Sequence, residues 1–175
     1  MAQNVYTSTN ILLGAAARIQ IGADGTYNAS NCPSVGYTKG DVVLTITTTY
    51  AYKEPDQSRG RVGAKCIEER AQLTVPMDEL TLNNLALACG YPAGSVAAGV
   101  FSFGGSATTT IYDMWLVGDG PNSTTRTVAI FKAVPDGDKA YPLKKAEESV
   151  LEVTFELFLD DTLTAGAQML TITDV

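Results

Sequence analysis

Few of the side chains that usually carry chemistry are present in this chain. Histidine is absent from its 175 residues, which removes the commonest general base and the commonest metal ligand. Glu152 and Glu156 share a strand face with Thr154, and paired carboxylates could act as acid and base in hydrolysis if a cleft set their pKa values apart. Acids are seldom buried, so a solvated strand face is the stronger reading. Asp160-Asp161 reads as a turn at a strand end ahead of a metal site. Cys32, Cys66 and Cys89 are odd in number and far apart, with no C-x-x-C spacing. They suggest buried reduced thiols rather than a disulfide framework or a zinc site. Residues 99–106 (GVFSFGGS) have the outline of a phosphate-binding loop, but Gly105 stands where that loop needs its lysine. Asn28-Ala-Ser30 and Asn122-Ser-Thr124 match the glycosylation triplet, which means little without a secretory signal, and read as turns. No catalytic residue, metal site or cofactor is assigned.

Composition bounds the rest. The length suits one domain, residues 1–175, with room for a core. Hydrophobic residues make up 45% and charged residues 18%, the latter below the ~25% usual for soluble domains. The 21 threonines favour strands that present a polar face, and so a mainly β protein. The net charge of −7 is unevenly spread. Residues 41–75 balance five acids (Asp41, Glu54, Asp56, Glu68, Glu69) against five bases (Lys53, Arg59, Arg61, Lys65, Arg70), whereas residues 146–175 hold seven acids and no Lys or Arg. A protein that grips nucleic acid shows the opposite bias. No apolar run approaches the ~20 residues of a membrane span, and Met1-Ala-Gln-Asn lacks the basic start of a signal peptide. The expectation is cytosolic synthesis with no membrane insertion.

The elements follow from periodicity. Residues 1–10 are polar and read as a flexible N-terminal arm. A strand is expected over 17–22, where Ile19 and Ile21 alternate with Arg18 and Gln20, and residues 31–40 form a loop. Pro76 ends a strand; Asp78 then caps the one helix, placed over 78–89, with Leu82, Leu85, Ala86 and Cys89 as its apolar stripe and Gly90 closing it. Residues 91–107 read as an irregular connection. Strands over 108–117 and 124–134 flank a turn at 118–123, with Trp115 and Phe131 as core anchors. Another strand over 149–159 puts Leu151, Val153, Phe155, Leu157 and Leu159 on one face, and residues 164–175 add a short closing strand.

Residues 41–75 organise these pieces. The outgoing limb places Leu44, Ile46, Thr48, Tyr50 and Tyr52 on one face and Thr45, Thr47, Thr49 and Ala51 on the other. A polar bend over 54–60 returns the chain as a second strand, giving a long antiparallel hairpin. The outgoing limb is about twice the usual ~5 to 6 residues of a strand and would reach roughly 36 Å. An isolated two-stranded ribbon is marginal in water and its open edges invite pairing. A neighbouring copy of the chain is the expected surface for it.

The order of pieces resembles the major tail tube protein of long-tailed (siphovirus-type) bacteriophages. The resemblance is carried by Ile11-Leu-Leu-Gly14, Ile19-Gln-Ile-Gly22, Val35-Gly-Tyr-Thr-Lys-Gly-Asp41 leading into the hairpin with its Gln57-Ser-Arg-Gly60 bend, and Met77-Asp-Glu-Leu80 opening a helix. It implies a β-sandwich or open barrel of two packed sheets flanked by one α-helix, with the hairpin as a projecting arm. It also implies hexameric rings stacked into a tube that conducts the genome, contact with other tail proteins at the tube ends, and residence in the virion tail after synthesis in the host bacterial cytoplasm. Double-stranded DNA would pass through without tight binding, since each Lys or Arg contact to phosphate adds affinity. Tyr50, Tyr52, Lys53, Glu54, Asp56, Arg59 and Arg61 are then the inter-subunit residues, and Thr45, Thr47, Thr49, Glu152 and Glu156 the candidates to line the lumen. The alternative is a monomeric β-sandwich binding module, of capsid-decoration or adhesion type, that would use Tyr27, Tyr37, Tyr91 and Tyr141.

Overall fold

The structure, a computed structural model, describes residues 16–25, 32–56, 59–92, 94–105, 109–143, 145 and 147–175. The expected N-terminal arm over 1–10 lies outside them. The elements in chain order are β1 (Ala16–Ala23), β2 (Val43–Lys53), β3 (Gly63–Met77), α1 (Leu82–Ala88), β4 (Tyr112–Asp119), β5 (Thr125–Asp136), β6 (Leu151–Leu157) and β7 (Leu170–Asp174). All strands pair antiparallel in the order β1-β4-β5-β6-β3-β2, with β7 on β5. The expected mainly β fold thus takes its open-barrel form, one continuous sheet curled into a half-barrel.

Alternation builds the core. On β3, Ala71, Leu73, Val75 and Met77 are buried; on β6, Leu151, Val153, Phe155 and Leu157 are buried opposite them. Ile19 and Ile21 of β1 and Tyr112, Met114 and Leu116 of β4 complete the apolar cluster. β5 departs from simple alternation. Its pairing with β4 shifts between Tyr112/Ala133 and Met114/Ile130, a bulge that allows both Ile130 and Ala133 to face the core despite their odd spacing. Trp115 and Phe131, expected as core anchors, are half-buried instead. Trp115 alternates with Met114 and Leu116 and so falls on the other face of β4.

β5 is also where the sheet divides. One side pairs with β4 along its length, while the other pairs with β7 over Arg126–Ile130 and with β6 over Ala133–Asp136. Arg126 fastens β7 through two 2.7 Å hydrogen bonds to the Asp174 carboxylate. The link from β6 to β7 turns at Asp160, a buried carboxylate that accepts from Lys132 Nζ at 3.2 Å and from Thr162 N and Oγ1 at 3.1 and 2.7 Å. That is the turn expected at Asp160-Asp161.

The helix is shorter than its pattern suggested. Thr81, not Asp78, is the N-cap, its hydroxyl accepting from Asn84 N at 3.1 Å. The inward residues are Asn84, Ala86 and Ala88, with Leu85 and Leu87 partly buried. Asn84 turns inward because its amide donates to Val35 O and Glu79 O, both at 2.8 Å, which ties the helix to the loop before β2. Glu79 accepts from Tyr37 N at 3.0 Å across the same junction. Gly36 sits there at φ 85, and a Cβ on it would collide with the Glu79 carboxyl. As expected, Gly90 follows the helix with positive φ.

Two measurements check this account of the body. Phe155→Ala, at a fully buried position, should lower the unfolding free energy by about 3–5 kcal/mol, whereas Ile46→Ala should change that of the free subunit by about 0.5 kcal/mol or less. The hydrogen bonds from Arg126, reinforced by its charge, hold Asp174 below the 3.8 of a free carboxyl. A depressed carboxyl stabilises the fold above its unfolded pKa and loses that contribution as pH falls through the folded value. Carboxyl NMR titration should therefore show the Asp174 midpoint below that of a free carboxyl, with β7 loosening as pH falls through that midpoint, and Arg126→Met should bring the midpoint back up.

Candidate assembly surface

The hairpin outruns the body that anchors it. β6 pairs with β3 only from Ala71 to Met77, so among the described residues β2 is the sole strand partner of residues 63–70. Among the described residues, β2 has no strand on its other side. Burial changes at the same point, with residues 64–70 exposed and Ala71, Leu73 and Val75 buried. At ~3.3 Å per residue the unsupported ribbon extends roughly 25 Å. It exposes large apolar groups there, Tyr50 at 47%, Tyr52 at 50% and Ile67 at 60%, and Ile46 at its base is 59% exposed.

The tip is held by local contacts. Arg61 Nε donates to Glu54 at 2.7 Å, the Arg61 guanidinium lies 3.9 Å from the centre of the Tyr52 ring, and Val62 N donates to Lys53 O at 2.9 Å. Two of the charges expected to pair across subunits, Glu54 and Arg61, therefore pair with each other. Lys53, Asp56 and Arg59 are exposed and, among the described residues, form no ion pair. Glu54 and Asp56 are the only acids among residues 53–65, against Lys53, Arg59, Arg61 and Lys65, so the tip is net positive on a chain of net charge −7.

The opposite face of the sheet gathers the residues singled out as lumen-lining. Thr45 lies across from Gln72, Thr47 from Arg70 and Thr49 from Glu68, while Gln72 is opposite Glu156 and Pro76 opposite Glu152. Thr45, Gln72 and Glu156 thus form one row on the side away from the core. Glu156 accepts from Gln72 at 2.6 Å and from Arg70 at 3.1 and 3.2 Å, and the hydroxyls of Thr74 and Thr154 meet at 3.2 Å. A small depression of about 100 Å³ opens between Thr45, Thr47, Arg70, Ala71 and Gln72. Glu152 belongs to a separate groove with Lys39, Asp41, Glu147 and Glu148, in which Lys39 pairs with Glu148.

This geometry disfavours chemistry by the Glu152/Glu156 pair. Four residues along a strand separate their attachment points by about 13 Å, beyond the ~5–9.5 Å between the carboxyls of glycoside hydrolases. Arg70 and Gln72 moreover occupy the Glu156 carboxylate. In the glycine-rich loop, Gly104 N donates to the Tyr91 hydroxyl at 2.8 Å, and among the described residues no helix lies between the loop and β4. A phosphate loop requires a helix there, with its backbone N–H groups free for phosphate.

Of the thiols, Cys32 is buried, Cys89 half-buried and Cys66 exposed on the arm, against the expectation that all three are buried. The β propensity of its neighbours marks Cys66 as a strand residue, but only the missing third strand explains its exposure. Of the tyrosines proposed for a binding module, Tyr27 lies outside the described residues, Tyr37 and Tyr141 are exposed, and Tyr91 is half-buried against Phe101 and Phe103. Phe103, which the sequence reading passed over, is more exposed than Tyr91. No helix among the described residues is long and apolar enough to cross a membrane.

No protein-family model and no curated protein matches this chain. Among solved structures, it is similar at 12% identity and a TM-score of 0.49 to a chain of the anti-feeding prophage baseplate, determined by cryo-electron microscopy with six-fold symmetrisation. The match covers 99% of this chain and 97% of that one.

Glu156→Ala should leave Arg70 and Gln72 without their shared acceptor. Because Arg70 is half-exposed, the expected loss in denaturant unfolding is about 1 kcal/mol, and Glu156→Gln, which keeps an acceptor for Gln72, should lose less.

Proposed function

We propose that this chain is a structural subunit that assembles with copies of itself into the tube of a phage tail, as stacked hexameric rings that conduct the genome into the host. The observation that carries the reading is the arm: a two-stranded ribbon that leaves its own core at residue 70 with open backbone edges and apolar side chains in water. Such edges are normally covered or blunted, and closure of strands from several subunits into a barrel would remove them. The Thr45, Thr47 and Thr49 face, with Glu152 and Glu156 further along the sheet, supports a polar, neutral to acidic wall along which DNA slides without being gripped. In this reading the protein has no catalytic chemistry, resides in the virion tail and meets other tail proteins at the tube ends.

The second reading, a monomeric binding module, draws on Tyr37, which is 79% exposed. Sedimentation and negative-stain microscopy of the purified protein separate the two. The tube reading expects rings or filaments at high concentration, and expects deletion of residues 53–61 to give a folded monomer that does not polymerise. A single small species from the intact chain favours the module, and tubes of normal length from the deletion variant would overturn the role given to the arm.

A further inference from the structure

The two sides of the arm differ in chemistry, and one extra residue is the cause. From Val43 to Thr49, β2 faces β3 in simple register; the pairing then steps from Thr49/Glu68 to Tyr50/Cys66, leaving Ile67 without an opposite. A one-residue step exchanges the faces of everything beyond it. In unbroken register Tyr52 would lie opposite Lys65. The bulge instead sets the small residues Cys66 and Ala64 opposite Tyr50 and Tyr52, and moves Lys65 across from Ala51 onto the threonine side.

The resulting apolar face is an outward extension of the core. Leu44 lies opposite the buried Leu73 and Ile46 opposite the buried Ala71, and the same side continues past the polar pair Thr48 and Glu69 through Tyr50 and Tyr52 into water. The net positive tip beyond it, Lys53, Arg59, Arg61 and Lys65 against Glu54 and Asp56, complements a partner with an acidic body. A second copy of this chain, at net charge −7, is such a partner.

We propose that the face bearing Ile46, Tyr50, Tyr52, Ala64 and Cys66 is the one that a second copy covers, and that the bulge at Ile67 puts it there, leaving Thr47, Thr49 and Lys65 in water. This rests on the self-assembly reading above and adds to it which side of the ribbon is buried. Cys66 is a native reporter, exposed in the free subunit. Maleimide labelling is compared in free subunit and polymer, for the intact chain and for Thr49→Cys in a Cys66→Ser background. Cys66 should react at least about tenfold more slowly in the polymer, while the cysteine at position 49 keeps its rate. Protection at 49 with Cys66 unchanged, or no protection at either, would overturn the face assignment while leaving self-assembly intact. Absence of any polymer would overturn both. Insertion of one alanine after Thr49 provides a second readout: it gives Ile67 an opposite residue, removes the bulge and turns Tyr50, Tyr52, Ala64 and Cys66 onto the threonine side, so circular dichroism should show a folded subunit and sedimentation no assembly, whereas polymerisation at the wild-type concentration would contradict the role given to the bulge.

Discussion

β3 has 15 residues and β6, the strand that supports it, has 7. This mismatch in length governs the rest of the molecule. Where the two overlap, Leu73 lies opposite Phe155 and Val75 opposite Val153, all fully buried, and the sheet closes over them. Where β6 has ended, β2 and β3 are, among the described strands, paired only with each other, and a ribbon of two strands has no third surface to bury its side chains. Apolar groups on it are only partly covered by the folding of the subunit. The Ile and Tyr side chains of the arm are about half exposed, so covering each by association is worth about half of the ~1.5–3 kcal/mol of full burial, and that stabilisation is left for assembly.

Bulges are the second organising device, and there are two of consequence. The one between β4 and β5 directs both Ile130 and Ala133 into the core and lets β5 serve β7 at one end and β6 at the other. The bulge at Ile67 sorts the arm into an apolar and a polar side. Each changes the phase of alternation by one residue, and each lies where the sheet passes from one environment to another.

Alternation made the strands legible from sequence: β1, β2, β6 and the inner half of β3 show a two-residue period that only a half-buried strand explains. The hairpin was readable because its bend is polar and its limbs are long. The bulges were not, since a single extra residue such as Ile67 looks like any other strand residue until its partner is known. For the same reason Trp115 and Phe131 were misplaced: size suggested core, but phase put Trp115 on the far side of β4 and the shift in β5 upset the alternation around Phe131. The helix began late because Thr81, with Asn84 three residues on, outcompeted Asp78 for the cap. Asn84 is buried for two backbone carbonyls that come from distant or irregular segments, which no local pattern announces. Among the candidate surface residues, the threonine row and Glu156 came together through cross-strand register, while Glu54 and Arg61 paired locally because the bend brings positions seven apart within reach.

The account depends on the outer arm being unsupported until a second molecule covers it, and backbone hydrogen exchange measures that directly. In the free subunit, the amides of residues 47–53 and 63–70 should exchange far faster than those of residues 71–77 on the same strand β3, and should become protected on assembly. Equal protection along the whole of β3 in the free subunit, or no slowing of the outer residues in the polymer, would contradict it.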